Sequence, residues 1–274
     1  MVEGATDQRF VLLLQDEGHC TSSFAALVVI PADAVDIPRE LAQRHGLLGT
    51  GAKQRVIAFS REIEGASASD GFRGVVDQDA DRFLSLDHRS AALCYTDHGC
   101  MDAYVWSAST LRRLLIQFQC EASIASPSAL RSLYASISRV CATLAAVRIV
   151  ALRHPEWELK VHRSTSALSV DRGTTRIDTA AYLRQARLRK GIASTVLAEV
   201  NQLDNELDSH DPLDVMNGHD LLWLVVFVLR DLSHLPRRAI DEVTVAGALL
   251  SFGVMDATLP TRPLFVRLAE WAAA

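Results

Sequence analysis

The sequence has few cysteines, and no two of them have CxxC spacing. The five cysteines lie at positions 20, 94, 100, 120 and 141. Their odd number and wide spacing argue against a disulfide framework and against a zinc site built from thiolate pairs. We therefore expect buried, reduced thiols and a cytoplasmic protein.

Long apolar runs are also missing. The longest, Leu221–Leu229, is too short to cross a bilayer, and no charged-then-apolar leader opens the chain. We expect no association with a membrane. With 49% hydrophobic and 22% charged residues, the 274-residue chain has the composition of a globular protein with a real core.

Familiar nucleotide and hydrolase signatures are absent as well. Gly49, Gly51 and Lys53 open a predicted helix, a geometry suited to phosphate, but they lack the spacing of a P-loop. A plain loop is the alternative interpretation of this segment. We find no nucleophile elbow and no Ser–His–Asp order.

What the sequence does have is a run of carboxylates after an apolar segment. Asp77, Asp79 and Asp81 follow Gly74–Val76 at alternate positions, so their side chains would point the same way if a strand continued through them. Three like charges in one place favour a bound cation, and Mg²⁺ prefers carboxylate oxygens. A solvated turn at the end of a strand is the alternative.

The start of the chain has a second acidic feature. Glu3 and Gly4 precede an N-cap candidate, Thr6, and an amphipathic run with helical spacing. A Glu-Gly turn, a helix and a later strand ending in Asp-x-Asp together resemble the Toprim (topoisomerase–primase) domain.

A closer resemblance covers most of the chain. It is to a Toprim-like family related to the OLD (overcoming lysogenisation defect) nucleases, which includes the nuclease subunit of the PARIS phage-defence system. The matching segments are Val2–Asp7, Val75–Asp79, Tyr95–Val105 and Met216–Leu222. The chain departs from the family in placing only two residues before Glu3, where an apolar strand is usual.

The resemblance implies an α/β fold with a Toprim-like, mostly parallel sheet flanked by helices over residues 1–125. A mainly helical C-terminal region with a short β-hairpin follows over residues 126–274. The alternation of predicted strands and helices in the first half independently favours a parallel sheet. Predicted strands in that half cover residues 24–30, 72–76 and 91–95.

The resemblance also implies a set of site residues. Glu3 would act as general acid/base, and Asp77 and Asp79 would bind Mg²⁺ or Mn²⁺ together with it. Asp81 is a candidate further ligand, with a solvent-facing side chain as the alternative. Asp97 and Asp102 would complete the acidic site, although Asp102 also suits the first turn of a helix.

Candidate nucleic-acid contacts come from the charge distribution. The net charge is −5, yet the segment from Arg148 to Lys190 has ten basic and four acidic residues, which suits a phosphate backbone. A solvated helix face is the alternative. The candidate residues are Lys53, Lys160, Arg163, Arg184, Arg187 and Lys190.

These observations lead to one expected function and two alternatives. We expect a metal-dependent nuclease that cuts RNA, tRNA among them, or DNA, as an effector of phage defence. The resemblance implies a partner ATPase, and a homodimer is plausible for the class. The alternatives are a catalytically weak module that docks on the ATPase and, more distantly, a phosphatase of the haloacid dehalogenase type.

Overall fold

The structure is a computed structural model that describes residues 1–17, 20–47, 49, 51–64, 66, 69–120, 126–171, 173–186, 188 and 191–274. In the N-terminal half the helices are α1 (Ala5–Asp16), α2 (Ser22–Ala25), α3 (Arg39–Arg44), α4 (Ala52–Glu64) and α5 (Ala108–Gln117). In the C-terminal half they are α6 (Pro127–Arg153), α7 (Thr179–Gln185), α8 (Ala193–Leu207), α9 (Gly218–Leu232), α10 (Glu242–Gly253) and α11 (Pro263–Ala273). The strands are β1 (Gly74–Val76), β2 (Leu93–Tyr95), β3 (Leu168–Asp171) and β4 (Thr174–Ile177).

A small parallel sheet of two strands lies in the N-terminal half and is flanked by helices. The chain is therefore an α/β protein. Strands β1 and β2 pair in parallel, with Val75 opposite Cys94. The first two residues extend the arrangement on the other side of β1: Val75 donates its N–H to the carbonyl of Met1 at 2.8 Å, and Val2 forms a parallel bridge with Pro31. The start of the chain thus lies between two extended segments.

The strand predicted over residues 24–30 is wrong. Residues Ser22–Ala25 form α2, whose N-cap Thr21 accepts a hydrogen bond from the N–H of Phe24. Phe24 is buried and its ring lies edge-on to that of Phe265 in α11. The cap and this distant contact stabilise a helical turn, and only Pro31, just beyond the predicted strand, takes part in a bridge.

The C-terminal half packs around α6. This 27-residue helix contacts α5, α8, α9 and β4, and β3 and β4 form an antiparallel hairpin. Buried residues from both halves, including Phe10, Leu115, Leu144 and Phe265, belong to one hydrophobic core. The two predicted regions therefore fold against each other.

Helix α6 is long and apolar enough to cross a membrane by length and composition, but 67% of its most apolar window is buried inside the fold. That is consistent with a core helix of a soluble protein. The five cysteines are free in the structure. Cys100, Cys120 and Cys141 are buried as predicted, whereas Cys20 and Cys94 are only half-buried.

Candidate acidic active site

Glu3 is held in place by the contacts of the two residues before it. The N-terminal amino group donates to the carbonyl of Arg73 at 2.6 Å, and Val2 is paired with Pro31. The carboxylate of Glu3 then accepts a hydrogen bond from the N–H of Asp77, with 2.7 Å between Oε1 and N. The ends of two adjacent extended segments therefore meet at these two acidic residues.

The three aspartates after β1 do not point the same way. The strand ends at Val76, and Asp79 has a φ of 45°, in the left-handed region. Its N–H donates to the carbonyl of Gly99 at 2.7 Å, which fixes the turn. Because the extended conformation stops here, Asp77 lines one cleft while Asp79 and Asp81 line another. The predicted single row of three carboxylates is wrong for that reason.

The first cleft, which we call the acidic cleft, is lined by the carboxylates of Glu3, Asp7, Asp77 and Asp102 and has a volume of about 600 Å³. Oδ1 of Asp77 accepts a hydrogen bond from the N–H of Met101 at 2.9 Å. Oδ2 of Asp7 accepts one from the N–H of Gly4 at 3.0 Å, at the start of α1. Four carboxylates from three distant segments thus share one depression.

Gly218, the first residue of α9, allows Asp102 to enter this cleft. A Cβ at position 218 would overlap the carboxylate of Asp102. The two residues of the Asn-Gly pair thus have different roles: Asn217 caps α9, and Gly218 leaves room for the carboxylate of Asp102.

Burial and mutual repulsion raise the pKa values of these acids. Burial raises the pKa of Glu3 to about 8, opposed by the hydrogen bond from the Asp77 N–H and assisted by the charge of Asp79. Burial likewise raises the pKa values of Asp7 and Asp102 to about 6. The pKa of Asp77 is raised well above its ordinary value by burial and then by the charge of Glu3. The cleft therefore favours protons or another cation.

The second cleft, which we call the Lys53 groove, has a volume of about 800 Å³ and contains Asp79 and Asp81. Lys53, in the first turn of α4, places its Nζ 3.2 Å from Oδ2 of Asp79 and 2.9 Å from Oδ2 of Asp81. Arg148 and Arg153 also line this groove. Asp81 is buried with Lys53 and does not face solvent.

Asn217 lies between the two clefts and lines both. Its side-chain oxygen accepts hydrogen bonds from the N–H groups of His219 and Asp220, which caps α9. Its amide nitrogen lies 3.5 Å from Oδ1 of Asp79 and donates to it. The Met216–Leu222 segment thus connects a helix start to the Asp79 turn.

Asp97 belongs to a different network. Its Oδ2 accepts hydrogen bonds from the hydroxyl of Tyr104 and the N–H of Leu264, each at 2.8 Å. Its Oδ1 lies 3.1 Å from Nη2 of Arg267. The structure does not bring Asp97 to the acidic cleft, whereas it does bring Asp102 there.

The basic residues predicted to contact nucleic acid differ in exposure and in their ion-pair partners. Lys53 is paired as described, and Arg163 donates to both carboxylate oxygens of Glu242 at 3.0 and 3.1 Å. Lys160 and Arg184 are exposed, while Arg187 and Lys190 lie outside the described residues. Sequence reasoning passed over Arg148 and Arg153 at the groove.

Asp7 is the acidic residue that sequence reasoning missed. The available signal was its spacing, since an acid three residues after the N-cap position, here Gly4, reaches back to the backbone at a helix start. That position places its side chain over the same cleft as Glu3.

The candidate metal ligands in the acidic cleft are all carboxylate oxygens, which hard divalent cations prefer. Their negative charges also raise the pKa of Asp77, so a bound cation would relieve their repulsion. In the structure, the carboxylates of Glu3 and Asp77 accept hydrogen bonds from backbone N–H groups. Accordingly, no three His, Cys, Asp or Glu side chains within the described ranges are already arranged around one metal position. Side-chain rotation would be needed for binding.

Comparison with known proteins does not extend this picture. No protein-family model matches the chain, and no curated protein matches it.

Proposed function

We propose that the protein is a Toprim-like, metal-dependent nuclease that acts in the cytoplasm as an effector of phage defence. The observation that carries the proposal is the meeting of Glu3, Asp7, Asp77 and Asp102 in one cleft, where two neighbouring extended segments end. Ligand-binding residues commonly gather at the carboxyl ends of parallel strands. The Toprim identity and the role in defence are supported by the motif resemblance.

Glu3 and Asp77 would hold the Mg²⁺ or Mn²⁺ ion, with Asp7 and Asp102 beside them. When bound, such an ion neutralises charge on a phosphate and lowers the pKa of a coordinated water. The chain itself supplies Glu3 as general acid/base. In the metal-free cleft burial raises the pKa of Glu3 to about 8, so its carboxyl can hold a proton near neutral pH and would give it up when the ion binds.

The substrate proposed is RNA, with tRNA among the candidates, or DNA. The Lys53 groove adjoins the acidic cleft through Asn217, and Arg153, which lines the groove, is exposed. Basic side chains beside an acidic metal cleft suit a phosphate backbone that must approach the reacting group. A partner ATPase and a homodimer are proposed from the resemblance.

A cleavage assay tests this function. Wild type, Glu3→Gln and Asp77→Asn are incubated with Mn²⁺ or Mg²⁺ and with tRNA, single-stranded DNA, duplex DNA or a phosphate monoester. Asp16→Asn is the matched control, because Asp16 is an exposed carboxylate on α1 away from the cleft. We expect cleavage of one polymer by wild type and Asp16→Asn only.

Other outcomes have distinct meanings. Cleavage that persists in both cleft variants would place the chemistry elsewhere and contradict the proposal. Release of phosphate from the monoester, without polymer cleavage, would favour the phosphatase alternative.

A second candidate function is an interaction module that docks on an ATPase without cutting nucleic acid. It is favoured by the pairing of Asp79 and Asp81 with Lys53, which already neutralises part of the acidic surface. This candidate would be supported if wild type cuts no nucleic acid and if ATPase binding survives the Asp77→Asn substitution in the acidic cleft.

A further inference from the structure

Six acidic residues near the end of β1 line two adjoining clefts. Glu3, Asp7, Asp77 and Asp102 line the acidic cleft, while Asp79 and Asp81 line the Lys53 groove. The two sets differ in what compensates their charge. In the first set, Glu3, Asp7 and Asp77 accept hydrogen bonds from backbone N–H groups. The second set contacts the ammonium group of Lys53.

Lys53 occupies the position that a cation would take between Asp79 and Asp81. Its Nζ lies 3.2 Å from one carboxylate and 2.9 Å from the other, and its side chain is only 11% exposed. Both contacts are ion pairs between the ammonium group and a carboxylate oxygen. A lysine ammonium is a compact point charge that can sit between two carboxylates in this way.

The surroundings fix this arrangement. Lys53 belongs to the first turn of α4, which packs on β1. Asp79 is fixed by its left-handed turn and by the hydrogen bond to Gly99, and Asn217 contacts its other oxygen. These contacts distinguish Lys53 from a mobile surface lysine that meets an acid by chance.

We propose that Lys53 is the resident cation of the Asp79–Asp81 pair, so that the protein binds one divalent ion, in the acidic cleft, and none at this pair. The inference rests on the proposed function in taking the acidic cleft as the metal site. It makes Lys53 a positioning residue that holds Asp79 and Asp81 by charge, in place of the nucleic-acid contact expected from the sequence.

Binding of Mn²⁺ tests the inference without any activity measurement. Calorimetry and the electron paramagnetic resonance signal of free Mn²⁺ give the number of ions bound by wild type, Lys53→Met, Lys53→Arg and the double variant Lys53→Met/Asp81→Asn. Lys160→Met is the matched control, because Lys160 is exposed. Lys53→Gln is measured alongside in case the methionine variant does not fold.

We expect one ion in wild type, Lys53→Arg and Lys160→Met, and two ions in Lys53→Met or Lys53→Gln. The added ion should be lost again in the double variant, because it would require Asp81. A wild type that binds two ions, or a Lys53→Met protein that still binds one, would overturn the inference while leaving the proposed metal site intact.

A wild type that binds no Mn²⁺ would separate the proposal about Lys53 from the proposal that the acidic cleft is a metal site. If wild type binds no Mn²⁺ but Lys53→Met gains one ion, Lys53 is the resident cation and the acidic cleft is not a metal site. If neither protein binds Mn²⁺, both proposals fail.

Discussion

The carboxylate of Asp97 accepts a hydrogen bond from the backbone N–H of Leu264, with 2.8 Å between Oδ2 and N. Leu264 lies in the first turn of α11, and the residue at the N-cap of that helix, Arg262, provides no side-chain cap. Asp97 therefore caps α11 from the other half of the chain. The hydroxyl of Tyr104 holds the same oxygen at 2.8 Å.

We predict that Asp97→Ala lowers the free energy of unfolding by about 1–2 kcal/mol, the usual cost of losing a helix cap. Urea denaturation measures this, with Asp36→Ala as an exposed control. Mn²⁺ affinity should be unchanged by Asp97→Ala, because Asp97 does not line the acidic cleft. A variant of normal stability with weakened Mn²⁺ binding would instead place Asp97 in the acidic site, as the motif resemblance implies.

A second prediction concerns Arg148 and Asp220, which form a two-pronged ion pair with both contacts at 2.6 Å. Asp220 is 2% exposed, so removal of its partner leaves a buried charge without compensation. We expect Arg148→Met to cost about 3 kcal/mol of unfolding free energy. The double variant Arg148→Met/Asp220→Asn should recover most of that loss.

Arg153→Met is the matched control, because Arg153 lines the same groove but is exposed. Equal losses of stability in Arg148→Met and Arg153→Met would show that the ion pair with Asp220 is not the cause.

Part of this fold could be predicted because its signals are local. The apolar segments at β1 and β2 and the helix α4 before them follow short-range patterns. The α/β class and the parallel pairing of β1 with β2 are confirmed. The predicted strand over residues 24–30 failed because Phe24 packs on Phe265. Residues close to Phe24 in the sequence could not have predicted a contact with a residue so far along the chain.

The site shows the same division between local and distant causes. Glu3 and Asp77 meet as the motifs predicted, since each directly follows an extended segment. The common direction of Asp77, Asp79 and Asp81 failed because Asp79 adopts a left-handed φ of 45°, which ends the alternation. Strand periodicity cannot anticipate a turn that depends on a hydrogen bond to Gly99.

A third prediction concerns pH. An acid whose pKa is higher in the folded state than in the unfolded state binds more protons when folded, so the free energy of unfolding falls as pH rises from the unfolded pKa to the folded one. Glu3 has a folded pKa of about 8 and an ordinary value near 4 when unfolded. We therefore expect its contribution to fall by about 2 kcal/mol between pH 6 and pH 8.

The measurement is the urea midpoint of EDTA-treated protein across that range. The contribution of Glu3 is read from the difference between wild type and Glu3→Gln, because other groups titrate over the same range. Burial lowers the pKa of the N-terminal amino group to about 6, which acts in the opposite direction, and raises the pKa values of Asp7 and Asp102 to about 6. A wild-type stability that does not fall relative to Glu3→Gln between pH 6 and pH 8 would contradict the raised pKa of Glu3.

The last prediction uses the contact between Gly218 and Asp102. A Cβ added at position 218 would overlap the Asp102 carboxylate, so Gly218→Ala should displace that acid from the cleft while leaving the cap from Asn217 in place. If Asp102 supports the metal, Mn²⁺ affinity should fall by about tenfold, the scale seen when a supporting group beside a metal is lost.

Gly247→Ala is the matched control for this change. Gly247 lines the same cleft on α10, and a Cβ there would meet the Arg9 guanidinium at an ordinary contact distance of 3.6 Å. Calorimetric titration with Mn²⁺ should separate the two variants, and their thermal unfolding should confirm that both are folded. Equal affinities in Gly218→Ala and wild type would remove Asp102 from the metal site and leave it as a first-turn helix charge, the alternative that its sequence position allows.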